Sequence, residues 1–218
     1  MKQIFFSIII IAFCSSSSLT AGQRFSAIYA NDNFASLESA YRELHLKTNS
    51  TKIDKSSYML GLMHKGAGEN RVYSEHIGLI NWVDSEIDFG IYARATFMYR
   101  NKLPNAYTNH DLLVSVGATA DFEFGFNRND IFTFGQFGPI VGLIYQIPEK
   151  GFSFYVTAIF EFIFLSQIGE TNLDYNANPF FGIGFGVEYY LKDTDFNLGI
   201  EVTFIREFSM VFFFGKRL

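Results

Sequence analysis

The chain has a single cysteine, Cys14, and only four prolines. One thiol excludes an intrachain disulfide, and His45, His64, His76 and His110 are too scattered to match the spacing of a zinc motif. A basic excess is also missing. Lys and Arg number 17 against 22 Asp and Glu, a net charge of −5, which argues against nucleic acid as a partner. Beyond the N-terminus no apolar run approaches the ~18 residues of a spanning helix, although 49% of the residues are hydrophobic and 18% aromatic. No phosphate loop is present, since Gly182-x-Gly184-x-Gly186 lacks the following helix and the lysine. No cofactor is therefore expected.

The N-terminus pairs Lys2 with the apolar run Ile4 to Phe13, then four serines and Leu19-Thr20-Ala21. These are the parts of a secretory signal peptide, with cleavage between Ala21 and Gly22. Its removal takes away Lys2 and leaves the chain one charge more acidic. A competing reading makes Cys14 a lipidated first residue, although the bulky Phe13 before it argues against that. The chain then divides into a signal peptide over 1–21, an N-terminal segment over 22–37 and one domain over 38–218.

What the domain does contain is alternation of period two. Over 111–127, Leu112, Val114, Val116, Ala118, Ala120, Phe122, Phe124 and Phe126 oppose Asp111, Ser115, Gly117, Thr119, Asp121, Glu123, Gly125 and Asn127, with only Leu113 breaking the pattern. Residues 87–100, 152–164, 181–191 and 196–204 repeat it. A helical period fits none of them. Weaker alternation marks 58–65, 72–83 and 133–147, where Gly138-Pro139 suggests a bulge or bend. Residues 38–47 are ambiguous, because Leu37, Ala40, Tyr41 and Leu44 also form a helical stripe. Turn-rich clusters at 66–70, 83–86, 127–130, 148–151 and 192–195 separate the strands, and longer polar links fill 101–110 and 167–178.

A soluble barrel alternates too, but its strands typically run about five or six residues. The 111–127 segment exceeds the ~9 to 11 residues that cross a bilayer. The face opposite the apolar one is rich in glycine with isolated carboxylates and arginines, which suits a narrow lumen. Hydrocarbon cannot satisfy open sheet edges, so such a sheet must close. The pattern predicts an all-β protein, a closed antiparallel transmembrane β-barrel of ten strands, or alternatively eight. Arg94, Arg100, Asp121, Glu123, Glu161, Glu188, Glu201 and Arg217 are candidates for a polar network inside it. Trp82 and the many tyrosines are expected to form an aromatic girdle at the lipid boundary.

The hairpin from Gly182 to Leu191, the turn Lys192 to Asp195 and the strand Asn197 to Phe204 resemble the small bacterial outer-membrane barrels of the OmpA, OmpX and opacity-protein type. Alternating Met210, Phe212 and Phe214 are similar to the C-terminal assembly signal of such proteins, with Leu218 in place of the usual aromatic and Lys216 at an outward position. The resemblance implies location in the outer membrane, contact with its lipid and lipopolysaccharide, and insertion by the barrel-assembly machinery. The expected role is structural, or adhesion through surface loops to an unidentified external ligand, with a small passive pore as the alternative. A lipid-modifying hydrolase or acyltransferase is a third class, with Ser74, Glu75 and His76, or Asp84 and Ser85, as candidate catalytic groups; such a triad is defined by geometry rather than by sequence proximity.

Overall fold

The computed structural model describes residues 32–47, 52–83, 89–104, 109–126, 131–168, 173–175, 180–205 and 207–218. The expected cleavage at Ala21-Gly22, as well as Cys14, Asp84 and Ser85, lies outside them. The strands are β1 (Asn33–Lys47), β2 (Lys52–Ala67), β3 (Arg71–Trp82), β4 (Phe89–Lys102), β5 (Asp111–Phe126), β6 (Ile131–Ile147), β7 (Phe152–Ile168), β8 (Leu173–Tyr175), β9 (Phe180–Leu191), β10 (Phe196–Ile205) and β11 (Glu207–Arg217).

Ten of them form a closed antiparallel barrel. Each wall strand pairs with the next, β7 passes on to β9, and β11 returns to β1, with Leu37 opposite Phe214 and Ala40 opposite Val211. The short β8 pairs with Phe164–Ser166 of β7, beyond the stretch that β9 covers. Part of the predicted polar link at 167–178 is thus strand.

The wall begins at Asn33 rather than at residue 38, which corrects the boundary read from the sequence. Phe34 to Leu37 are held on one side by Lys65 to Leu62 of β2 and on the other by Arg217 to Phe214 of β11. The same double pairing decides the ambiguous stretch that follows. A helix there would leave β2 and β11 each with an unpaired edge.

Strand pleat sorts the side chains. Leu60, Leu62, Ile77, Leu79, Phe97, Val116, Phe154, Phe185 and Phe212 are exposed on the outer wall, while Glu38, Arg42, Lys65, Arg94, Glu123, Glu188 and Glu201 are buried inside. Trp82 is a correction. It falls on inward parity, is buried, and covers Gly90, whose absent Cβ would stand 2.6 Å from the indole. Among the described residues the outer tyrosines are Tyr73, Tyr99, Tyr145 and Tyr189 toward the end of the barrel that carries Asn33 and Arg217, and Tyr41 and Tyr58 toward the other.

Gly138-Pro139 makes no bulge. The β5 register runs through it unbroken, and on the β7 side the pairs Phe137–Phe162 and Ile140–Ile159 keep one register with the two pairs between them missing. Proline has no N–H to donate there. A Cβ on Gly138 would lie 1.7 Å from the Phe160 carbonyl oxygen, so only glycine permits this approach. At the turn between β6 and β7, Gly151 has φ 68° and donates to the Pro148 carbonyl at 3.2 Å. That left-handed conformation favours glycine.

Closure is testable through the seam. In a background lacking Cys14, Ser39→Cys with Phe212→Cys puts thiols on directly paired residues, whose Cα separation of about 4.5 to 5.5 Å falls within disulfide range. Oxidation should give an intramolecular crosslink with altered migration in SDS. A control pairing Ser39→Cys with Phe162→Cys on β7 should not, and failure of the seam pair to crosslink would mean that the wall is open.

Candidate functional site

The interior of the barrel is filled by polar side chains that meet across it. On β1 the inward sequence is Ser36, Glu38, Ala40 and Arg42, all buried. Arg42 presents both terminal guanidinium nitrogens to the two carboxylate oxygens of Glu123 on β5. This planar fork is the geometry in which Arg binds a carboxylate most specifically. The Phe134 ring lies 5.4 Å from the same guanidinium.

One layer along, Glu38 accepts a hydrogen bond from the Tyr92 hydroxyl at 2.5 Å and faces Nδ1 of His76 at 2.8 Å. Arg94 pairs with Asp121, which also accepts from Gln136 Nε2 at 3.0 Å. Lys65 points its ammonium at Glu188 at 3.1 Å and lies 4.1 Å from the Phe213 ring centroid. Asn197 donates to Glu188 at 3.4 Å, and Tyr155 donates to Glu201 at 2.9 Å. Ion pairs, hydroxyl donors and ring faces thus share the work of compensating buried charge, which costs several kcal/mol per ion when left alone.

Aromatic side chains close the remaining space by lying over glycines. A Cβ at Gly61 would stand 2.1 Å from the Tyr92 hydroxyl, at Gly186 2.0 Å from the Tyr155 ring, and at Gly199 2.3 Å from the Phe213 ring. These glycines sit on strands adjacent to the rings or one strand away, so removal of a side chain on one strand makes room for a ring from another.

Of the network residues read from the sequence, Arg94, Arg100, Asp121, Glu123, Glu161, Glu188 and Glu201 face inward and are buried. Arg100 reaches the Gly68 carbonyl at 3.5 Å at one mouth of the barrel. Arg217 is different. It is the last inward position of β11, remains 44% exposed and pairs with Asp32 at 3.1 Å at the rim. Burial lifts the Asp32 carboxyl above its ordinary range, opposed by the nearby Arg217 and Arg100 charges. Glu38, Arg42 and Lys65 escaped the sequence reading. For Glu38 and Arg42 the available signal was parity, since each is two residues from Ala40, but it was masked by the helical stripe over the same stretch; Lys65 lies at the end of the weakly alternating 58–65 segment.

Of the catalytic candidates, Ser74, Glu75 and His76 are not brought together. Ser74 and His76 face the interior, while Glu75 is exposed on the outer wall. The carboxylate at His76 is Glu38, and no hydrogen bond joins Ser74 to His76 among the described residues. No cluster of three or more metal-ligating side chains occurs among them either.

No family model and no curated protein matches the chain. Among solved structures, an outer membrane channel from Pseudomonas putida F1 is similar at 8% identity, with a TM-score of 0.47 over 92% of this chain and 100% of that one.

The Arg42–Glu123 pair yields a sharp expectation. Arg42→Met leaves a carboxylate buried without its fork and should destabilise the barrel by about 3–5 kcal/mol, whereas adding Glu123→Leu should recover most of that loss. Urea unfolding in detergent micelles, followed by tryptophan fluorescence of Trp82, measures both. A double variant as unstable as the single one would show that the two groups are not coupled.

Proposed function

We propose that the chain is an integral protein of a bacterial outer membrane, and that its barrel serves the envelope as a filled structural cylinder. The observation that carries this is the inversion of polarity across the wall. Exposed leucine, isoleucine and phenylalanine cover the outside, and charged pairs are buried inside. In water this arrangement would place a large apolar surface against solvent. In hydrocarbon it meets the requirement for an oily exterior and a polar interior.

Strand length supports the same reading, because the shortest wall strand, β10, has 10 residues, and about 9 to 11 are needed to cross. With ten strands, both termini of the wall fall at one end, which corresponds to the periplasm. Outward Met210, Phe212 and Phe214 fit a C-terminal signal read by the barrel-assembly machinery. Outer-membrane lipid and lipopolysaccharide are the natural contacts of such a wall.

A structural role fits better than adhesion. The connections at the end away from the termini are short, at 48–51, 83–88, 127–130 and 206, with 169–179 as the longer exception. A small passive pore is the second reading. It is favoured by the inward hydroxyls of Ser36, Ser57, Ser74 and Ser115, which hydrogen-bond no protein atom among the described residues and suit bound water.

Planar-bilayer recording separates the two. The wild-type protein should stay silent across a wide voltage range, because Tyr92, Tyr155, Arg42 and Lys65 fill the cross-section. Tyr92→Ala combined with Tyr155→Ala should produce discrete openings. Steady channels from the wild type would replace the structural reading with the pore, and extraction of the chain from membranes by alkaline carbonate would remove both.

A further inference from the structure

The outer wall carries a row of polar groups near the end where the termini lie. Lys216 on β11, Ala35 on β1, His64 on β2 and Glu75 on β3 are successive partners across four strands, all on outward parity. His64 Nδ1 lies 3.9 Å from a Glu75 carboxylate oxygen, and that carboxylate side chain is 70% exposed. Lys216 is exposed and makes no ion pair among the described residues.

Two grooves meet this row. One of about 520 Å³ lies over the small Ala35 between Leu37, Leu62 and Phe214. The other, about 800 Å³, lies beyond Glu75 over Ala95 and Ala120, between Phe97 and Phe137. Both are predominantly apolar, and Glu75 borders each.

We propose that the row and its grooves bind one diacyl phospholipid whose headgroup carries both a phosphate and a primary ammonium. It rests on the chain spanning a membrane and adds to that the identity of a bound lipid. The charge order selects the headgroup: Lys216 takes the phosphate, the His64 ring N–H adds a donor, and Glu75 takes the ammonium. A purely anionic headgroup would leave Glu75 facing negative charge. Lys216 and Glu75 are three strand spacings apart, roughly 14 Å, and the Glu75 carboxylate already leans to 3.9 Å from His64 Nδ1 on the intervening strand. The depth is also appropriate. Tyr73, Tyr99, Tyr145 and Tyr189 lie on the outer face toward this same end, the level at which tyrosine marks the membrane boundary. The two acyl chains then occupy the two grooves.

Native mass spectrometry of the intact protein, loaded with equal amounts of phosphatidylethanolamine, phosphatidylglycerol and phosphatidylcholine, tests the assignment. The wild type should retain phosphatidylethanolamine about tenfold over the other two, a ratio that one charged hydrogen bond supports. Lys216→Ala should reduce retention of all three. Glu75→Gln should bring the ethanolamine-to-glycerol ratio close to one, and Ala35→Leu should lower every lipid without changing that ratio. Equal retention by the wild type, or a ratio unmoved by Glu75→Gln, overturns the headgroup assignment while leaving the membrane barrel intact. A protein that retains no lipid and stays monodisperse without detergent overturns both.

Discussion

A sheet that is oily on one face and charged on the other can exist only if its two edges find each other. Open edges expose rows of N–H and C=O groups that hydrocarbon cannot satisfy, and β1 meets β11 to remove them. The rest of the structure follows from that seam. Closing it encloses the polar face, so groups that would otherwise be hydrated must find partners across the lumen. Arg42 and Glu123, 81 residues apart in sequence, become neighbours only because the sheet curls through a full turn.

The enclosed charges explain specificity better than they explain stability. A buried pair gains little over an apolar pair of the same volume, yet breaking it by removing one partner is severe. Fixed pairs therefore penalise wrong registers. A one-residue slip of β1 would turn Arg42 and Glu38 to the outside and bring Leu37 and Tyr41 inward. Glu123 would then lose its Arg42 fork, and Tyr92 and His76 would lose the Glu38 carboxylate. Glycine adds a second constraint of the same kind, since Tyr92 fits over Gly61 and Tyr155 over Gly186 only in one register.

The all-β closed barrel was legible wherever the outer face was uniformly apolar, as in β4, β5, β7, β9 and β10. It was least legible in β1, where outward Ser39 and Glu43 weaken the contrast and inward Ala40 imitates a helical stripe. The missed residues have a common cause. Lys65 stands in a strand whose inward neighbours Met59, Gly61 and Met63 carry no charge, and Glu38 and Arg42 flank Ala40 in the stretch that also reads as a helical stripe, so neither strand announced a polar face. Trp82 misled for the opposite reason. An aromatic residue is at home both in a lipid-boundary girdle and over a lumen glycine, and only parity counted from Val72 and Ser74 separates the two. Pairing partners were beyond reach altogether, because the strand register around the barrel decides which distant groups meet.

Size selection works differently on the two faces of the same wall. Inside, each missing Cβ at Gly61, Gly186 and Gly199 is occupied by a ring from the protein itself, so small residues there produce density. Outside, Ala35, Ala95 and Ala120 have no opposing strand to supply a ring, so small residues produce grooves. Whatever fills those grooves must come from the surroundings. In a membrane the available filler is an acyl chain, and the polar groups beside the grooves then select among headgroups. Because neighbouring side chains point to opposite faces, Glu75 and Lys216 can take part in such a contact while Ser74, His76 and Gly215 remain committed to the interior. The wall thereby keeps a rigid, self-complementary inside and a separately tunable outside on one set of strands.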